Sequence, residues 1–485
     1  MGERWVCPQG RHGWFLPTRT MTSNLLAPAQ WAQTEFALAR LGDQRRTQRL
    51  VKMAGSLAQT PTGTLPQAFP AWKDLKAAYR LLDHLEFGPE QLQEPHRQRT
   101  LEACQQSGEY LFIEDTTDLD YSSRRRTGHL GPIGNHRGRG LRLQSTLAVR
   151  VEAWGLGQKP EGVAVGLLDQ QIWARRSDRG TGGWRQRLRR PREFDRWARV
   201  LEQTGGPPAQ CQWTYLADRE ADFYEPIQRC QRAGVDFIIR AYRDRRLAGE
   251  GEHLLARLKA QTVGAQWEVA VRGRNGEVNR QALVSVRSCP VTLQGPWRPH
   301  GQQPDLPVNV VEVREEAPPS QTEPLHWILL TSLPCEKVAQ WQRIIGRYQT
   351  RWWIEHYHKA LKSGAGVEES QLEQGFRIEN LVAVLAVLAV RLVNTQWLAR
   401  HRPDDPVQAR SFGESALEIL SAKFQAPTAG WTNQTVLIAV ARLGGFLARK
   451  HDGLPGWQTI WRGWYKLLAM CEALEILREK EKKCG

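Results

Sequence analysis

The stretch Tyr348-Gln-Thr-Arg351-Trp-Trp-Ile-Glu355-His-Tyr-His358-Lys359-Ala-Leu-Lys362 contains neither proline nor glycine, so it reads as one helix. At about 100° per residue, Tyr348, Arg351, Glu355 and Lys362 fall at roughly 0°, −60°, −20° and −40°. All four project from one stripe, about 21 Å long at the usual helical rise. A single carboxylate is thereby flanked by two cations and a phenol. That suits an acid that holds a metal while its neighbours hold phosphates. An ordinary solvated helix with an i,i+4 Arg–Glu pair has the same spacing, so the rest of the chain must decide between the two.

Outward from that stretch, the 485 residues carry 67 Lys+Arg against 51 Asp+Glu, a formal charge of +16. The length allows two to four domains, and the charge favours a polyanionic partner over plain solubilising charge. Arginine clusters at 124–126, 185–192 and 243–246 suit phosphate, which a guanidinium grips with two parallel bonds. The eight cysteines are scattered, with no Cys-x-x-Cys and no His/Cys cluster at zinc spacing. They read as reduced thiols of a cytosolic protein without structural zinc. No apolar run reaches the ~18–20 residues needed to span a bilayer, so no membrane partner is expected.

Residues 1–20 lack any period and read as a dispensable, disordered extension, with Met21 as the working start. A helical domain follows over 21–95. Its second helix opens behind Asp43 as N-cap. Arg45, Arg49 and Lys52 form a basic face there, and Leu50, Met53 and Leu57 an apolar one. Trp72 to Leu85 is expected to be another helix, bearing Tyr79 and Arg80. Over 96–375 the period changes. Glu109 to Thr117 reads as a buried strand ending on acids, and Trp213 to Asp218 as a second strand ending on aspartate and entering a helix. Glu193 to Gln203 reads as a helix. Residues from about 243 to 325 are strand-rich and resemble an inserted β module. From 376 to 485 the chain reads as helical: 378–398, 415–424, 434–449 and 457–483.

Two strand-terminal aspartates and one helical glutamate, Asp115, Asp218 and Glu355, form a set that can converge on two Mg²⁺ ions ~3.5–4 Å apart. Hard divalent ions prefer oxygen ligands, which accounts for the Asp/Asp/Glu composition. A lone strand-end aspartate is more often a turn-former or a cap. Three acids in this order, the last on a Tyr/Arg/Lys-bearing helix, are a stronger signal.

Over about residues 21–485 the chain resembles bacterial cut-and-paste DDE transposases of the insertion-sequence-four group, the group containing the transposon-five enzyme. The resemblance rests on Leu41-Gly-Asp-x-Arg-Arg-Thr-x-Arg-Leu, Ile113-Glu-Asp-Thr-Thr, Asp218-Arg-Glu-Ala-Asp, Leu443-Gly-Gly-Phe and the Y-(2)-R-(3)-E-(6)-K signature of Tyr348, Arg351, Glu355 and Lys362. It implies an α/β fold: an RNase H-like catalytic core with a β-rich insertion, between an N-terminal helical DNA-binding domain and a C-terminal helical dimerisation domain. It implies Asp115, Asp218 and Glu355 as the metal-binding catalytic triad for two Mg²⁺, with Mn²⁺ able to substitute. It places Tyr348, Arg351 and Lys362 on phosphates, and Trp327 under a flipped base. Arg49, Tyr79 and Arg80 fall where the group touches the transposon end, and Arg45 shares their basic side. The implied partners are transposon-end DNA, target DNA and a second copy in a synaptic homodimer, within the bacterial cytoplasm and nucleoid. The basic stretch 175–192 departs from the group's pattern and points to additional DNA contact.

Strand alternation puts Glu114 and Asp115 on opposite faces, so only one can be a ligand. Asp118, Asp120 and Asp222 read as loop and helix-surface charges. His356 and His358 diverge on a helix; His358 and Lys359, beside the basic stripe, are candidate DNA contacts, and His356 reads as structural. Two rival readings are a catalytically silent end-binding inhibitor and an RNase H-like nuclease acting on branched DNA.

Overall fold

The computed structural model describes residues 28–484 apart from 61–63, 125, 135–136, 154–160, 176–192, 250, 273–277, 300, 321, 408–411 and 450. The expected extension 1–20, and the basic stretch 175–192 save Arg175, lie outside the described residues.

Strand β1 (Gly108–Asp120) is the axis of the fold. Its alternation divides two apolar clusters: Tyr110 and Phe112 join one face, while Leu111 and Ile113 join the other. It pairs antiparallel with β3 (Gly138–Ala153) and parallel with β5 (Cys211–Ala217), which in turn lies parallel to β6 (Asp236–Arg240). Strands β2 (Gly131–Ile133) and β4 (Glu161–Trp173) share the outer edge of β3. The order β4–β3–β1–β5–β6, with only β1, β5 and β6 parallel, is consistent with the expected RNase H-like core.

The strand-rich segment does not form a detached module. Strands β7 (Ala265–Arg272), β8 (Val278–Leu293), β11 (Leu306–Glu315) and β12 (His326–Thr331) continue the same sheet in the order β6–β12–β11–β8–β7. The two-residue strands β9 (Trp297–Arg298) and β10 (Gly301–Gln302) form a small hairpin beside it. Without β12, the edge of β6 would present unpaired N–H and C=O groups, which a sheet normally covers.

Helices α1 (Pro28–Phe36), α2 (Gln44–Gln59), α3 (Leu65–Ala68) and α4 (Trp72–Leu82) come first. Asp43 caps α2 through Arg45 N at 2.8 Å, and Leu50, Met53 and Leu57 are buried, as the periodicity predicts. Helix α5 (Pro89–Cys104) spans the expected boundary at 95, and its His96 is held from both sides. Its Nδ1 lies 2.8 Å from Glu35 on α1, and its Nε2 accepts Leu167 N of β4 at 3.0 Å. The N-terminal helices therefore share one apolar cluster with the sheet and with α11 (Gly375–His401).

Several local expectations are corrected. The segment 193–203 is not one helix but a 3₁₀ turn, Glu193–Arg196, and a short α6 (Val200–Thr204), with α7 (Tyr224–Ala233) and α8 (Leu254–Lys259) further along the chain. Between the 3₁₀ turn and α6, Ala198 has φ +56°, and its N–H donates to buried Glu114 at 2.8 Å; tertiary bonding overrides helix propensity there. The long signature helix is also broken. It consists of α9 (Val338–Gln349), α10 (Trp352–Lys359) and a π turn, Ala360–Gly364. Thr350 and Arg351 bond back only three residues, and the Thr350 hydroxyl donates to Gly346 O at 3.1 Å, a side-chain bond that bends helices. Ala365 N then reaches back five residues to Ala360 O.

At the C-terminus, α12 (Glu414–Phe424), α13 (Asn433–Leu443) and α14 (Trp457–Cys484) follow the expected pattern, except that α13 stops at Leu443. A Cβ on Gly444 would lie 1.8 Å from Thr459 O, and one on Gly463 would lie 1.7 Å from Val440 O. Gly444 and Gly463 thus permit a backbone-to-backbone crossing of α13 and α14, while Gly445, with φ +98°, lets the chain turn away after α13. Among the described residues, no helix is long and apolar enough to cross a membrane.

Candidate active site

The β1–β5 pairing ends with Glu114 opposite Ala217, so Asp115 and Asp218 follow side by side at the end of adjacent parallel strands. Parity fixes their faces. Asp115 continues the row of Leu111 and Ile113, and Asp218 that of Leu216, all on the side covered by α10. Helix α10 is anchored to that side by Ile354 and Tyr357, both fully buried, and presents Glu355 at the strand ends. β1 itself does not stop at the acids but runs on to Asp120 against β3.

Arg351 ties the acids together. Its guanidinium donates to Asp115 Oδ2 at 3.1 Å and to Glu355 one turn along. Asp115 also accepts Thr116 N at 2.8 Å, and Asp218 caps the next turn by accepting Glu220 N at 2.7 Å. Burial pushes the Asp115 carboxyl up to about 7, and the Asp218 carboxylate beside it adds to the rise. Burial works against the Arg351 cation, but Tyr348 and the carboxylates of Asp115, Glu355 and Asp218 outweigh it and keep the guanidinium firmly protonated.

On the other face Glu114 is fully buried. It accepts the Tyr215 hydroxyl, Ala198 N at 2.8 Å and Gln144 Nε2 at 3.0 Å. Burial lifts it to about 8. Only Asp115 of the pair faces Arg351, in keeping with the alternation.

Among the described residues no three His, Cys, Asp or Glu side chains form a ready-made metal cage. The donors at the site nevertheless fit a hard divalent cation: they are all carboxylate oxygens, and their negative charge is neutralised in part by a bridging guanidinium.

The expected DNA-facing residues separate. Lys359 is exposed, and Arg351 and Lys362 are half-buried, with Lys362 3.7 Å from Glu368. Tyr348 is buried and therefore off the expected open stripe; its ring lies 5.2 Å from that of half-buried Trp327. His358 is also buried, which removes it from any DNA-facing set. Burial, with Lys362 and Arg351 nearby, pushes its imidazole down to about 3. Arg45 and Arg80 are exposed on the N-terminal helices, whereas Arg49 and Tyr79 are half-buried.

Asp222 is not a surface charge. It is 1% exposed and accepts Tyr242 N, Arg243 N and Arg245 Nε at 2.8–2.9 Å. Asp118 and Asp120 lie in β1 rather than in a loop and accept Gly134 N and Ser122 N. Sequence reasoning missed the Asp222 anchor, because its donors come from a segment about 20 residues away. The one available signal was the arginine cluster at 243–246.

Residues 28–86 match the family of transposase DNA-binding domains, and residues 203–391 match the transposase DDE domain. The two matches support a DDE transposase. The first contains Arg45, Arg49, Tyr79 and Arg80 and supports DNA as a partner. The second contains Asp218, Trp327, Arg351 and Glu355 and implies DNA cleavage and strand transfer, chemistry for which DDE domains generally use divalent metals. Asp115 precedes the DDE match, and the parallel β1–β5 pairing is what brings it to Asp218.

Proposed function

We propose that this transposase works by cut-and-paste, with Asp115, Asp218 and Glu355 as its catalytic and metal-holding acids. The observation that carries the reading is the placement of Asp115 and Asp218 on one face of adjacent parallel strands, with Glu355 joined to Asp115 through Arg351. Two Mg²⁺ ions, or Mn²⁺ in their place, would activate the attacking water or 3′-hydroxyl and stabilise the leaving oxygen. Asp115, Asp218 and Glu355 would hold those ions at the reacting phosphate. Arg351, already at the acids, is the cation best placed to grip a phosphate oxygen entering there. Lys359 and Lys362 extend the positive surface along the same segment.

In this reading Arg45, Arg49, Tyr79 and Arg80 hold the inverted end. Hydrolysis frees a 3′-OH that attacks the opposite strand to give a hairpin, with a displaced base on Trp327. The hairpin is then opened and the end joined to target DNA. A homodimer formed through the C-terminal helices brings two ends together. The buried Asp115 carboxyl, raised to about 7 by burial and then by the neighbouring Asp218, the all-oxygen donor set and the two family matches support this reading.

The test incubates purified protein with a fragment bearing the inverted ends that flank the gene, with Mg²⁺, beside the Glu355→Gln variant. Nicks or hairpins at the element boundary, absent in the variant, are the expected products. A specific shift without cleavage would instead make the protein a silent end-binder, and cleavage only of branched DNA would make it a nuclease.

A further inference from the structure

On the Glu114 side of the sheet, beyond the strand ends, lies a cavity of about 390 Å³, within the usual range of ligand sites, roughly 300–1,000 Å³. Trp173, Trp197, Phe223 and Tyr242 supply four aromatic rings to its wall, and Arg219 and Arg243 supply charge. The Arg243 guanidinium lies 4.9 Å over the Phe223 ring, and Arg196 lies 4.2 Å over Trp173. Flat cation-on-ring surfaces of this kind accept another flat π system. Buried Asp222 fixes the platform by accepting the backbone N–H groups of Tyr242 and Arg243. Tyr242 is 72% exposed at the mouth, so the site is open to entry.

The cavity shares its wall with the acids. Thr116, which lines it, donates its N–H to Asp115, and Glu220, also in the wall, donates its N–H to Asp218. Arg142, bonded to Glu220 at 2.9 Å, closes that side. Trp327 and Tyr348 belong with the opposite face of the sheet, so the acid-bearing edge lies between Trp327 and this second aromatic site.

We propose that this cavity receives one unstacked nucleobase of the DNA strand passing the acids, held between the Arg243–Phe223 platform and Tyr242. The inference rests on the DNA transposase reading. It also accounts for a wall that carries both rings and arginines: Tyr242 and the Arg243–Phe223 platform take the base faces, and Arg219 takes the flanking phosphate. Glu193 and Glu220, also in the wall, offer acceptors to exocyclic amines. The same chemistry fits a base from the element end or from the target.

The test measures binding of the full-length protein to a short single-stranded oligonucleotide and to an abasic deoxyribose-phosphate strand of equal length, at fixed salt. The natural strand is expected to bind roughly tenfold or more tightly, the scale of base–aromatic stacking. Phe223→Ala should remove most of that preference while leaving abasic-strand affinity within about twofold. Tyr242→Ala, at a side chain 72% exposed, should reduce it as well.

Preference unchanged in both variants, or lost only in Trp327→Ala, overturns the proposal. Single abasic sites scanned through an end-bearing fragment, and separately through a target duplex, identify the source. A wild-type effect that Phe223→Ala abolishes, in either arm, supports the cavity; no such effect in both arms sinks it. Cleavage of the end fragment is scored independently, so a cleaving protein without the base preference refutes the cavity alone. A protein with the preference but no cleavage refutes the catalytic reading alone.

Discussion

Glu114 and Asp115 are chain neighbours with opposite fates. Glu114 is sealed in, with a phenol, an amide and a backbone N–H all donating to it. Asp115 faces a second carboxylate and a shared arginine, at a side chain still 13% exposed. One face of the strand spends its acid on holding the fold; the other keeps an acid whose charge is incompletely satisfied. A buried carboxyl with three donors is finished structure, whereas crowded carboxylates bridged by one guanidinium leave charge that the proposed cation would meet.

The sharpest test of that contrast is catalytic. Asp115→Asn, Asp218→Asn and Glu355→Gln are each expected to abolish cleavage while end binding stays within a few-fold. Binding lost in step with cleavage would break the assignment of these acids to the reaction. Glu114→Gln, by contrast, should retain cleavage, since it replaces an acid held largely protonated near neutral pH.

A stability effect comes next. Glu114→Ala leaves the donors of Tyr215, Gln144 and Ala198 without their acceptor, at about 1–3 kcal/mol for each buried group left unsatisfied. Denaturant unfolding should show that loss, and a neutral outcome would mean the pocket rearranges around water.

The two faces should also respond to pH together. Asp115 and Glu114 have folded values raised to about 7 and about 8. The folded chain therefore keeps protons that the unfolded chain has released. Their contribution to stability is full below about pH 4 and is lost as pH rises through 7–8. Thermal unfolding of metal-free protein should shift downward across that window. Glu114→Gln should flatten the upper part, and added Mg²⁺ should restore more stability at pH 8 than at pH 6. A midpoint that does not move across the window would show that Arg351 already neutralises the site.

The smallest effect lies far from the sheet. Arg49→Ala is expected to weaken end binding a few-fold and to lower the slope of log K against log salt by about 0.9, the loss of one phosphate contact. An unchanged slope would remove Arg49 from the DNA surface and leave exposed Arg45 and Arg80 to account for it.

Much of the fold was legible because periodicity is local. The apolar alternation of 110–113, the cap at Asp43 and the spacing of Leu50, Met53 and Leu57 each depend on residues within a turn or two of one another. The same alternation separates Glu114 from Asp115. Where partners come from distant segments, the reading failed. Asp222 looked like a surface charge because its donors lie at 242–245. His358 and Tyr348 looked open because a helical wheel shows which residues share a face and not what covers it.

Residue type and order were therefore enough to single out the three acids as candidates and to place the N-terminal helices and the strand that carries Asp115. Only the tertiary structure decided that β12 and the strands before it extend the central sheet, that Arg351 joins Asp115 to Glu355, and that the signature segment bends at Thr350 and widens at Ala360–Gly364. The physical reason is range. Side-chain period follows from backbone geometry over a few residues, whereas burial, charge pairing and helix bending are settled by whatever the rest of the chain packs against them.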